Sequence, residues 1–170
     1  MRNWFFIALG LVMLFNSCVK KRDPEPTGEA FVRFVNAANT ASNQEIYLNG
    51  ALVKAGSLPY KGFTPYISYT SGFNYFAFAN LGTQTANSAI EFGSKIGSKT
   101  TVFHIVTLSK LFALDPISDD TDLPANGKFK VRFLHLNHHV NKSMKVTVAG
   151  GHDLVTELKF RFTSDYYELD

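Results

Sequence analysis

Gly28-Glu29-Ala30-Phe31-Val32-Arg33-Phe34-Val35 returns 99 residues later, as Gly127-Lys128-Phe129-Lys130-Val131-Arg132-Phe133-Leu134. Each stretch is rich in β-branched and aromatic residues and reads as a strand. Together they mark two copies of one β unit, and a period of about 100 residues means tandem domains, not a solenoid. After the first motif, Ile46-Tyr47-Leu48 runs into Asn49-Gly50, a strong hairpin signal, and Ala51-Leu52-Val53 returns. Further strands are expected within Tyr60 to Tyr69, Phe73 to Phe78, Ala89 to Phe92, Thr101 to Leu108 and Leu111 to Leu114. Such short runs, divided by Gly, Asn, Ser and Pro, predict an all-β sandwich. No stretch keeps a helical period.

The second copy follows the first only part of the way. Val146, Val148 and Gly150 answer to Ile46, Leu48 and Gly50, while Leu158, Phe160 and Phe162-Thr163 answer to Leu58, Tyr60 and Phe63-Thr64 with one residue dropped. Nothing answers to Phe73 through Leu114. The expected organisation is a sandwich over 29–115, an acidic linker over 116–127 and a partial second repeat over 128–170. Three readings of the partial copy stand open: a truncated reading frame, strands added to the first domain, or an open edge that takes a strand from another protein.

Composition narrows the classes of function. The 170 residues are 18% charged and include 16 Phe and 7 Tyr, too aromatic for a disordered chain. One cysteine excludes an internal disulfide and a cysteine-built zinc site. A net charge of +3, with no basic cluster beyond Lys20-Lys21-Arg22, gives no nucleic-acid footprint.

The N-terminus reads as an address. Arg2 precedes an apolar run from Trp4 to Phe15, about 18 Å as a helix and short of the ~30 Å hydrocarbon core. That suits a secretory signal better than a membrane span. No A-x-A-like cleavage pattern follows. Leu14-Phe15-Asn16-Ser17-Cys18 instead resembles the lipobox of bacterial lipoproteins, in the looser form of the Bacteroidota, with Phe15 where Leu is usual. The resemblance implies a signal peptide over 1–17 and palmitate-type acyl chains on Cys18. Three chains at about 0.8 kcal/mol per buried methylene make the anchor permanent. Val19 stands where an inner-membrane retention Asp would be, so the expected location is the outer membrane, its face left open. Residues 18–28, with Pro24 and Pro26, read as a tether reaching roughly 30 Å.

The Val-Arg-Phe openings, the Ile46-Tyr47-Leu48-Asn49-Gly50 hairpin and the acidic linker before the second opening resemble the domain-of-unknown-function family DUF4397. The family opening often ends in His, as at His135; the first copy has Asn36 there. The resemblance implies an exported protein with an immunoglobulin- or transthyretin-like sandwich. It lends no catalytic residues.

Candidate chemistry is sparse. His135, His138, His139 and His152 lie within eighteen residues, and the first three are the candidate metal ligands. Against them, neighbours on an extended chain point to opposite faces, and the family opening already accounts for His135. Asp115, Asp119, Asp120 and Asp122 lack the Gly and Glu of a calcium loop and read as a solvated linker. Arg33 and Arg132 are expected to snorkel to a sheet surface or pair with a carboxylate. Tyr60, Phe63, Tyr66, Tyr69, Phe73, Tyr75, Phe76 and Phe78 read chiefly as core, with a glycan-stacking platform as the competing reading. No nucleophile elbow, phosphate loop or zinc-protease motif is present, and no cofactor is expected. The expectation is a lipid-anchored, non-catalytic binding or structural module of the cell envelope, its protein or glycan partner open. The alternative is a pilin- or adhesin-like subunit that exchanges strands at the incomplete repeat.

Overall fold

A computed structural model describes residues 26–53 and 56–170, so Cys18 and the signal lie outside the described residues. The described residues form twelve strands and no helix. In the first copy β1 (Glu29–Asn36), β4 (Ile67–Thr70), β7 (Lys99–Val106) and β8 (Phe112–Ser118) form one sheet, in the order β4-β1-β7-β8. The second sheet, β3-β2-β5-β6, takes β2 (Gln44–Leu48), β3 (Ala51–Leu52), β5 (Gly72–Asn80) and β6 (Ala86–Ser94). All neighbours are antiparallel except β1 and β7, which run parallel with Phe34 opposite Val102.

Period-2 alternation builds the core. Along β1, Ala30, Val32, Phe34 and Asn36 are buried while Phe31, Arg33 and Val35 face outward. Phe34 meets Phe76 and Phe78 of the opposing sheet at ring-centroid distances of 5.9 and 5.8 Å. Tyr69 closes edge-on against Phe76. These contacts join the two sheets into a sandwich. Asn49 and Gly50 both take positive φ, at 51° and 82°, as a two-residue hairpin of the primed type requires.

The Tyr60 to Tyr69 run holds strand only from Ile67 onward; before that, Leu58 and Phe63 make single bridges to Gln44 and Val35. Pro59 and Pro65 flank this stretch, and each lacks a ladder donor. β8 runs three residues into the expected linker, through Pro116. Proline is tolerated there because β8 is an edge strand. The aromatic stretch divides. Tyr69, Phe76 and Phe78 are buried, but Phe63 is 72% and Phe73 79% exposed, and Tyr60 and Tyr75 also face solvent. Core packing therefore holds for only part of the set.

The second copy consists of β9 (Phe129–Val131), β10 (Met144–Thr147), β11 (Asp153–Leu158) and β12 (Tyr167–Leu169), paired as β12-β9 and β10-β11. These repeat β4-β1 and the β2-β3 hairpin. Met144 faces Leu158 as Gln44 faces Leu58. Backbone bonds recur as well. Asn36 N–H donates to Gly62 and its carbonyl accepts from Lys61, as His135 does with Phe162 and Arg161. The Thr64 hydroxyl accepts the N–H of Phe34, and the Ser164 hydroxyl that of Phe133.

This corrects the alignment read from sequence. Phe63 corresponds to Thr163 and Thr64 to Ser164, with no residue dropped after Leu58. The extra residue lies between His135 and Met144. The two Phe-Thr pairs are not equivalent, because the fold repeats the hydroxyl that caps the strand and not the Phe before it. Among the described residues, the other edges of β9 and β10 carry no strand, where β1 pairs with β7 and β2 with β5.

Candidate functional site

The two copies meet along β8 and the residues after it. Asp119 follows β8 directly, its N–H fixed on the Lys99 carbonyl. Its side chain is 6% exposed. One carboxylate oxygen accepts from Tyr66 at 2.8 Å and Thr101 at 2.6 Å, and the other lies 3.0 Å from Arg132 and 3.8 Å from Arg33. Arg33 stacks on Tyr66 and donates to Thr101, while Arg132 stacks on Tyr166 and donates to the Ser118 carbonyl. The repeated Arg-Tyr pairs of both copies thus converge on one carboxylate, whose Oδ1 faces both guanidinium groups while its Oδ2 accepts from the two hydroxyls. Both arginines pair with a carboxylate, as expected of them.

The acidic stretch is not simply solvated linker. Asp115 is clamped by Arg161 through two guanidinium nitrogens, Asp120 pairs with Lys130 at 2.8 Å, and the Asp120 N–H donates to the Tyr166 hydroxyl. The Lys130 hydrogen bond holds the Asp120 carboxyl below its usual range. Composition alone counts these charges as hydrated; the second copy supplies their cations. Among the described residues, no group of three or more His, Cys, Asp or Glu is placed to hold a metal ion.

Beside this joint lies a cleft of about 470 Å³ between the copies, lined by Asn39, Tyr60 and Lys61 from the first and Asn137, His138 and His139 from the second. The candidate histidines separate here. His135 is buried, with Nε2 3.3 Å from the Lys142 carbonyl and Nδ1 accepting the Asn137 N–H, so both ring nitrogens are engaged. It repeats a role of Asn36, whose Oδ1 accepts the Ala38 N–H. His138 and His139 sit in a turn, and their rings pack at a centroid distance of 3.9 Å. The expectation that adjacent side chains diverge fails because it holds for extended backbone, not for a turn. Burial, and then the charges of His139 and Lys110, push the His138 pKa below its ordinary value. His152 is exposed in the β10–β11 turn.

Two groups escaped sequence reading. Lys61 and Arg161 hold the same backbone position, with φ of 65° and 68°, and aligning Leu58-Pro59-Tyr60-Lys61 with Leu158-Lys159-Phe160-Arg161 without a gap would have paired them. His104 is fully buried on β7 between Phe78 and Phe112, its Nδ1 3.2 Å from Asn36 Oδ1 and its Nε2 without a partner. Burial pushes its pKa down to about 4. An isolated histidine in an apolar strand carries no signal of this in sequence.

No curated protein matches this chain. A family model described as Domain of unknown function (DUF4397) matches residues 30–142, from β1 across the joint and into the second copy. With more than half its length covered, and with the sandwich that the Val-Arg-Phe opening implied, the chain belongs to the DUF4397 family.

Proposed function

We propose that this chain is an exported lipoprotein of the cell envelope, held in the outer membrane by lipid on Cys18, whose joined sandwich copies serve as a non-catalytic binding or structural module. The observation that carries the module is the joint. A buried carboxylate gripped by two arginines, with Asp115–Arg161 and Asp120–Lys130 beside it, holds a mutual orientation that a bare linker would not. The anchor rests on the Arg2, apolar run and Cys18 pattern. Mass spectrometry of the membrane-extracted protein is expected to find an N-terminal, acylated Cys18, and Cys18→Ser is expected to retain residues 1–17. A mature chain starting elsewhere, or without lipid, overturns the anchor.

The open edges of β9 and β10 favour a second reading, an assembly subunit that takes strands where β1 takes β7 and β2 takes β5. Size exclusion with light scattering on the detergent-solubilised chain is the check. Concentration-dependent oligomers are expected on this reading, and a strictly monomeric, fully folded chain counts against it.

A further inference from the structure

We infer that the cleft between the copies binds a small carboxylate-bearing ligand of sugar-acid size, seated on Lys61 with His138 and His139 opposite. The repeat itself makes the argument. Lys61 and Arg161 occupy equivalent positions, share a left-handed backbone and donate the same N–H, to Asn36 and His135 respectively. Arg161 holds a carboxylate, that of Asp115. Lys61 pairs with no carboxylate among the described residues, and its ammonium lies 5.5 Å from the ring centroid of Tyr60. One copy therefore carries its cation filled and the other carries it open, at a cleft.

The rest of the cleft fits the same ligand. No Asp or Glu lines it, so nothing there repels an anion. Facing His138 across or beside the cleft are Lys61, Tyr60, His139 and Lys110, and no carboxylate is among them. Asn39 and Asn137 add amides, and the partly exposed Tyr60 ring adds an apolar face for a sugar ring. A volume of about 470 Å³ suits one small molecule. An anion between the imidazoles and Lys61 favours the protonated ring, so affinity rises as pH falls through the His138 titration.

This inference names a ligand class for the binding module proposed above, and its test does not involve the lipid. The full-length chain in detergent is titrated with D-galacturonate, and with D-galactose as the uncharged arm, while the imidazole resonances of His138 and His139 are followed by NMR. Galacturonate is expected to shift both rings and to bind more tightly at pH 5.5 than at pH 8. Galactose is expected to leave them unmoved. Lys61→Met, at an exposed position, is expected to weaken galacturonate about tenfold, the loss of one charge-assisted contact. No imidazole response, an equal response to galactose, or unchanged affinity in Lys61→Met overturns the inference. None of these outcomes bears on acylation of Cys18, so the anchor stands or falls separately.

Discussion

Asp119→Ala is expected to destabilise the joined copies by about 2–3 kcal/mol and to expose residues 120–127 to protease. The figure sits below the 3–5 kcal/mol typical of breaking a fully buried ion pair, because the Arg33 and Arg132 side chains remain 41% and 16% exposed. The alanine leaves two guanidinium groups facing each other across the space their shared carboxylate held. It also removes the acceptor for the hydroxyls of Tyr66 and Thr101. Asp119→Asn keeps the shape and one acceptor while losing the charge, so it is expected to fall between wild type and alanine. Urea unfolding and timed proteolysis check this. Equal stability and equal protease resistance in all three proteins would show that the joint contributes nothing.

Acid is expected to unfold the first copy by way of His104. Its folded pKa of about 4 lies below the ordinary 6.5, so the native state favours the neutral ring. The stabilisation that the neutral ring confers is complete above pH 6.5. It is lost as pH falls from there and is spent below pH 4, a total of about 3 kcal/mol. Native packing explains the shift. The ring lies between Phe78 and Phe112, and Nε2 faces no acceptor that would welcome a proton. Because Asn36 Oδ1 faces Nδ1, the proton of the neutral ring sits there. His104→Phe keeps an aromatic in the stack and removes the titrating group. The difference in unfolding free energy between His104→Phe and wild type, measured at pH 7.5, 5.5 and 4, is expected to move steadily in favour of the variant as pH falls. A constant difference across that range would rule His104 out as the acid-sensitive group.

Much of the fold was legible in the sequence because a sandwich strand leaves a local record. Alternation in Ala30 to Asn36 and the Asn49-Gly50 turn follow from backbone sterics and from which face meets water. The repeated Val-Arg-Phe opening revealed two copies for the same reason. The candidate site was far less legible. Whether Phe76 is buried and Phe73 exposed depends on which sheet face a partner covers, and the pleat alone does not say which face that is.

By itself, then, the sequence determined the strand class, the duplicated unit, the hairpin and the family. These depend on residues close together along the chain or on motifs that repeat. Tertiary structure alone decided what the charges do. Arg33 lies far along the chain from Asp119 and Arg132, and the Asp119–Arg132 contact itself forms only because the second copy folds back beside the end of β8, which makes the three one cluster. The same packing fills Arg161 with a carboxylate while Lys61 meets none, a difference between two equivalent cations that comes from their neighbours in space.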